Sequence, residues 1–215
     1  MRAATIIFMT LGLLSAGCSK GGEEAKDEEE GSPQTSAQEA PAEPAAKKAE
    51  PLSRALAAAK DFNQRLRGML QATMESQGPE AAIEVCAVAA PTIADEVMKA
   101  HELKLGRVAA PGKNRNPDQE AQGWTWEALR EMIEEVERGA RVTEQMKVYR
   151  DDLPEGIELR MVRGIPTEAL CTRCHGEEIE PSIEAKLKER YPGDGATGFR
   201  EGTLHGALWV EVTTM

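Results

Sequence analysis

The spacing of hydrophobic residues predicts two helices in the first part of the folded chain. Ser53 is suited to cap the first helix, and apolar residues then recur every three or four positions: Leu56, Ala59, Phe62, Leu66, Met69, Leu70 and Met74. Gly78 and Pro79 end this pattern and begin the next one. The second helix carries its own apolar stripe: Ile83, Cys86, Ala90, Ile93 and Val97. Because Pro91 lacks a backbone N–H, we expect the second helix to be kinked or split there.

The middle of the chain changes from a polar stretch to a third helix. Residues Leu103–Gly123 are polar and irregular, which is typical of a loop. Trp124 and Trp126 then begin a helix that ends near Gly139 and turns these residues inward: Leu129, Met132, Ile133 and Val136.

The last part of the chain alternates between apolar and polar residues, as strands do. Such alternation over Val142–Tyr149 and over Ile157–Met161, with turn residues between them, predicts a β-hairpin. A short helix over Pro181–Arg190 and a glycine-rich loop over Tyr191–Gly202 follow. A final strand alternates through Leu208, Val210 and Val212. Helices first and antiparallel strands later indicate an α+β fold.

The first residues have the features of a bacterial export signal. Arg2 precedes an apolar run, Ala3–Leu14, that is too short to span a bilayer. The run ends in small residues before Cys18, which resembles a lipobox, although Ser15 stands where leucine is usual. We therefore predict a lipoprotein signal peptide over residues 1–17 and lipidation of Cys18. An ordinary signal peptide that is cut near Ala16 is the alternative.

Residues 18–52 have the composition of a disordered tether. The acidic run Glu23–Glu30 leads into a stretch of Ala, Pro and Glu with no aromatic residue. Such a segment cannot bury a core, so we expect a flexible linker with an average reach of roughly 30 Å. The folded domain is expected over residues 53–215.

The charge of the chain narrows the range of partners. It carries 26 basic and 37 acidic residues, for a formal net charge of −11. Loss of residues 1–17 would remove only Arg2 and leave the chain more acidic still. This balance argues against nucleic acid and anionic membrane surfaces as partners, and it favours a basic redox or signalling protein.

Cys171-Thr172-Arg173-Cys174-His175 is the attachment signature of a c-type haem. Each thiol can form a thioether with one vinyl group, and His175 can bind iron from the proximal side. We therefore expect one covalently bound haem c. Three alternatives compete: a zinc site, which needs further ligands; a redox dithiol, which favours a βαβ setting; and a disulfide, which a two-residue spacer would strain.

The export signal and the haem motif indicate the same location. An exported chain matures outside the cytoplasm, where bacteria attach c-type haem, so we expect a lipid-anchored protein of the cell envelope that faces the periplasm. Ser19 replaces the aspartate that resembles an inner-membrane retention signal. The outer membrane is therefore favoured over the inner membrane.

The residues alone leave the second axial ligand open. Among c-type haems a methionine or histidine is usual. His101 and His205 have the sequence context of surface or loop histidines, and Cys86 on an alanine-rich face is typical of a small core residue. Three arginines are candidates to pair with haem propionates: Arg107, Arg115 and Arg163.

Several short sequence motifs along the chain resemble those of a known family. They are Val85-Cys86, Ala90-Pro91, Arg115-Asn116-Pro117, Ile165-Pro166, the motif Cys171–Gly176 and the loop Tyr191–Gly198. In this order they resemble a family of single-haem c-type proteins with a PAS-like sensor fold. That family was formerly a domain of unknown function and occurs alone or in front of sensor kinases. The resemblance covers about Ser53 to Val212. It implies a PAS-like antiparallel sheet around the haem, and it implies Cys86 as the iron ligand opposite His175.

Two functions remain from the sequence. The first is a membrane-anchored mono-haem cytochrome that transfers electrons between periplasmic partners. The second is a haem-based redox or gas sensor that signals through a separate partner, because no kinase or other output module follows Val212. We do not expect an enzyme, since no acid–base or nucleophile set accompanies the motif.

Overall fold

The computed structural model of the protein describes residues 50–214. The predicted signal peptide, Cys18 and the linker up to residue 49 lie outside the described residues. Within residues 50–214, no helix is long and apolar enough to cross a membrane.

Two of the predicted helices are present at the start of the described chain. Helix α1 spans Pro51–Gln77, and α2 spans Pro79–Glu84. Helix α1 begins two residues before Ser53 because Pro51 fits the first turn, where no backbone N–H is needed. Gly78 separates the helices with a positive φ of 86°, which glycine adopts at little cost.

The apolar face of α1 is buried along its first half only. Its buried residues are Ala55, Ala58, Ala59, Phe62 and Leu66. Met69 is 44% exposed, and Leu70 and Met74 border a cavity. The predicted apolar stripe is therefore correct, and its second half lines a cavity.

The predicted break at Pro91 is a widened turn between two helices. Residues Val85–Ala89 form a π-helical turn, and α3 continues over Ala90–His101. The Ala90 N–H donates to the Val85 carbonyl, five residues back. Pro91 has no N–H for the carbonyl four residues before it, so a regular α-turn cannot close there.

The strands form one antiparallel sheet of four strands in the order β1-β4-β3-β2. Their ranges are Leu103–Val108 for β1, Met146–Tyr149 for β2, Ile157–Pro166 for β3 and Leu204–Thr213 for β4. The β2–β3 pair is the predicted hairpin. Helices α1 and α3 pack on one face of the sheet, and α4 (Gly123–Glu137) packs on the other. The predicted α+β class is confirmed.

Two further helices complete the fold between β3 and β4. Helix α5 spans Ala169–His175 and carries the haem motif, and α6 spans Pro181–Arg190, as the sequence predicted. Ile83 of α2 packs against Ile183 and Leu187 of α6 in a small separate core. The motif therefore lies on a connection between sheet strands and is supported by α2 from one side.

The loop predicted over Leu103–Gly123 is wrong at its beginning, where the chain forms the edge strand β1. Glu102 ends α3 in the left-handed conformation, so the chain reverses at once into the strand. The Trp209 indole covers Gly106, where a Cβ would lie 2.8 Å from its Nε1. Only Leu103 and Leu105 alternate on one face before Arg107 takes the next position, so the apolar pattern is too short to predict the strand.

Candidate haem-binding site

Helix α5 presents both cysteines of the motif to one cavity. Cys171 and Cys174 are three positions apart, which places them on the same side of a helix. Both thiols are half-buried and free, and both line the cavity with His175. Burial raises the pKa of each thiol above its ordinary value. The pair is thus held as thiols on one wall, as the attachment hypothesis requires.

The cavity lies between α1, the π-turn and the sheet, and its volume is about 540 Å³. Ligand pockets commonly measure about 300–1,000 Å³. Apolar residues from three elements supply much of the wall: Leu56, Leu66, Leu70, Met74, Ile83 and Leu208. Cys86 lies on this wall as well. A flat apolar group that is joined to Cys171 and Cys174 would find an apolar surface here.

A second cavity of about 340 Å³ shares several of these wall residues. Cys86, His175 and His205 border both cavities. Its basic wall residues are Arg107, Lys113, Arg115 and Arg190. Among residues 50–214, no Asp or Glu lines this cavity. In an acidic protein, such a lining favours a ligand with carboxylates.

The imidazole of His175 is held in the tautomer that a metal ligand needs. Its Nδ1 lies 2.7 Å from the Ala196 carbonyl oxygen, which accepts the Nδ1–H. That bond leaves the lone pair of Nε2 free. Burial, and after it the positive charge of Arg115, lower the pKa of His175 well below its ordinary value. The ring is therefore neutral near pH 7.

His205 is part of this site, and its predicted place on the surface or in a loop is wrong. It lies in β4, borders both cavities and contacts His175, with 4.3 Å between the ring centroids. Burial, then Arg107 and Arg115, lower its pKa to about 4. The strand register explains the position: Ile165 pairs with Gly206 and Pro166 with Leu204, so His205 is the extra residue of a bulge.

The contact between the two rings bears on the choice of axial ligands. Imidazoles that bind one metal from opposite sides, each at about 2 Å, would have ring centres roughly 6 Å apart. The observed 4.3 Å between His175 and His205 is too short for that arrangement. His101 is remote from the site, since it ends α3 and its Nε2 lies 3.2 Å from Asp61 Oδ2. Cys86 borders the same cavity as His175.

The three predicted arginines differ in their surroundings. Arg107, Arg115 and Arg163 all line the first cavity. Arg115 is buried, and it donates to Asp194 and to the Cys174 carbonyl. Arg115 therefore has partners within the protein already, whereas Arg107 and Arg163 fit the role predicted for them better.

The described residues offer little support for a zinc site. In residues 50–214, no group of three or more His, Cys, Asp or Glu side chains is arranged to hold a metal ion. A structural zinc site needs four such donors. The cysteines and His175 instead surround a cavity large enough for a ligand that brings its own donor atoms.

Comparison with known proteins gives one family and one solved structure. The model of the family described as Tll0287-like matches residues 37–213. The crystal structure of the cyanobacterial haem protein Tll0287 is similar over 78% of this chain and 98% of that chain, with a TM-score of 0.57 and 24% sequence identity. At that identity the likeness shows the fold. No curated protein matches the chain.

Proposed function

Because the chain belongs to the Tll0287-like family, we propose that it is a haem protein that binds one haem c covalently and acts in electron transfer. One observation carries the proposal: Cys171, Cys174, His175 and Cys86 line a single cavity. The solved relative is itself described as a haem protein.

Each of these residues has a distinct part in the proposed site. Cys171 and Cys174 would hold the haem by thioethers, and the free Nε2 of His175 would bind from one side. Cys86 would bind from the other side as a thiolate. When bound, the haem supplies a one-electron change at its iron, at a low potential because thiolate donates electron density. The residues of the chain orient the group and keep much of it out of water.

A sensor remains the second candidate, and the π-turn favours it. Such turns are rare and occur frequently at functional sites. Cys86 lies within this turn, between two regular helices, and Val88 of the same turn is 56% exposed. A small change of the turn would move the Cys86 thiol relative to the cavity. A redox or gas signal would then pass to a separate partner protein.

The location and partners are proposed from the N-terminal sequence and the charge. We propose that Cys18 anchors the protein by lipid to the envelope, facing the periplasm. The outer membrane is favoured over the inner membrane, because Ser19 follows Cys18. An acidic chain of net charge −11 suits a basic partner protein and argues against nucleic acid. No enzymatic turnover is proposed.

Covalent attachment is tested by changing both motif cysteines to alanine. The wild type, expressed with c-type maturation, should keep its haem through acid–acetone extraction and denaturing electrophoresis. Cys171→Ala/Cys174→Ala should contain no bound haem, because no thioether can form. Cys86→Ser is the matched control, since it removes a thiol from the same cavity and should keep covalent haem. Extractable haem or stoichiometric zinc in the wild type would refute the proposal.

A further inference from the structure

We propose that the buried ion pair Arg115–Asp194 positions the imidazole of His175, and so sets its strength as an iron ligand. The inference rests on the proposed function, and it adds two positioning residues far apart in the sequence. The two residues are 79 positions apart, and neither belongs to the haem motif.

Asp194 is linked to His175 by two hydrogen bonds that both involve the backbone of Ala196. Its Oδ1 accepts the backbone N–H of Ala196 at 2.8 Å. The carbonyl oxygen of Ala196 lies 2.7 Å from His175 Nδ1 and accepts its proton. The carboxylate therefore holds the residue whose carbonyl selects the tautomer and the direction of the ring.

Arg115 ties this loop to the motif helix. Its Nε donates to Asp194 Oδ2 at 2.9 Å, and its Nη2 donates to the Cys174 carbonyl at 2.8 Å. Cys174 directly precedes His175. One guanidinium thus holds the backbone beside the histidine and, through Asp194, the carbonyl that accepts from its ring.

Burial makes this arrangement rigid. The side chains of Arg115 and Asp194 are only 8% and 9% exposed, so water competes little for their hydrogen bonds. The loop also fits closely against its neighbour, since a Cβ on Gly195 would lie 2.2 Å from the Gly112 carbonyl oxygen. The Gly195 N–H donates to the Asn114 carbonyl at 3.1 Å.

The pair should therefore affect the redox potential of the bound haem. A hydrogen bond from Nδ1–H to a carbonyl raises the basicity of the nitrogen that binds the metal. Substitution of the residues that hydrogen-bond to a metal ligand commonly lowers metal affinity or activity by about 10–100-fold. A firmly held, more basic imidazole favours oxidised iron. Loosening the Ala196 carbonyl should make His175 a weaker donor and raise the potential.

The test measures the midpoint potential of haem-loaded variants. In Asp194→Asn, we expect the ratio of reduced to oxidised haem at a fixed potential to rise about tenfold, a shift of about 59 mV for a one-electron couple. Arg115→Lys keeps the positive charge but loses the planar fork, and it should shift the potential in the same direction by less. If Asp194→Asn does not accumulate as a haem protein, the midpoint potential of Arg115→Lys tests the inference instead, and an unshifted potential overturns it.

A second ion pair provides the matched control. Arg160 and Glu211 have side chains that are 18% and 13% exposed, with Arg160 Nε 2.8 Å from Glu211 Oε1. Arg160 lies over the Trp124 ring, as Arg115 lies over Tyr191. Glu211→Gln should lower the melting temperature and leave the potential unchanged.

The outcomes separate the inference from the proposed function. A shifted potential in the Asp194 and Arg115 variants, but not in Glu211→Gln, supports the inference. An unshifted potential in a haem-loaded Asp194→Asn overturns it, as does an equal shift in Glu211→Gln. A wild type without covalent haem would overturn the proposed function and, with it, this inference.

Discussion

At the residue scale, Cys86 combines a half-buried thiol with a place in a widened turn and on the wall of both cavities. The family resemblance implies that it binds iron opposite His175. The structure adds that Cys86 and His175 line the same cavity and that His205 contacts His175 closely.

We predict that Cys86→Ser will raise the midpoint potential and change the spin state of the oxidised protein. The thiolate is the strong donor at the site, and its loss should increase the ratio of reduced to oxidised haem by at least about tenfold, about 59 mV. Serine is close in size to cysteine, so the fold should lose only on the order of 1 kcal/mol. Absorption and EPR spectra with a redox titration check this.

Val88→Ser is the control for Cys86→Ser, since it places serine in the same turn on an exposed side chain. It should leave the spectrum unchanged. If Cys86→Ser also has the wild-type spectrum, Cys86 is a wall residue only. A near-infrared sulfur-to-iron band would indicate methionine, and sensitivity to His205→Ala would indicate that histidine.

The residues of the site differ in how far the sequence could predict them. The spacing of Cys171, Cys174 and His175 identifies them directly, because attachment chemistry depends on local spacing. His205 could not be found from alternation, since the bulge opposite Pro166 redirects its side chain. Asp194 stands in a glycine-rich loop, and no local pattern shows its pairing with Arg115.

At the element scale, strand β1 shows how a short apolar pattern can hide a strand in its sequence. Leu103 and Leu105 are buried on one face and Val108 on the other, so only two apolar residues alternate before Gly106 and Arg107. The glycine is required because the Trp209 indole lies over it and packs edge-on against Trp124, with 6.2 Å between the ring centroids. Helices α1, α4 and α6 could be predicted because their local period is complete.

We predict that Gly106→Ala will destabilise the protein by about 1–3 kcal/mol, the usual cost of overpacking. The new Cβ would meet three indole atoms within 2.9 Å, and the Trp209 ring cannot move without disturbing Trp124. Urea unfolding of the haem-loaded protein measures the loss of free energy of unfolding.

Gly68→Ala is the matched control for this substitution. Gly68 lies within α1, and a Cβ there would meet nothing within 4 Å. Alanine has the higher helix propensity, so this variant should be more stable by roughly 0.5–1 kcal/mol. Equal stability of the wild type and Gly106→Ala would show that the indole does not restrict β1.

At the scale of the whole molecule, the acidic chain encloses a site with a basic lining. The formal net charge is −11, yet the second cavity is bordered by Arg107, Lys113, Arg115 and Arg190. The interior thus suits a ligand with carboxylates, and the partner proposed for the acidic chain is a basic protein. The overall charge could be predicted from composition alone. The basic lining could not, because it brings together residues from β1, the following loop and α6.

Lipidation of Cys18 would hold the whole molecule at the cell envelope. Cys18→Ala should release the protein from the membrane fraction, because the lipid would have no acceptor, and its haem spectrum should equal that of the wild type. We expect the haem site to be unaffected, because the predicted linker separates it from the anchor by a reach of roughly 30 Å. Cell fractionation, with haem staining of both fractions, measures the change.

A second variant tests which membrane holds the protein. Ser19→Asp restores the aspartate that resembles an inner-membrane retention signal, so it should move the protein from the outer to the inner membrane on a sucrose gradient. Cys18→Ala should be absent from both membrane fractions, which separates loss of the anchor from a change of its destination. A wild type that is soluble, with a free N-terminus after cleavage at Ala16, would show that the ordinary signal peptide is the correct alternative and that Cys18 carries no lipid.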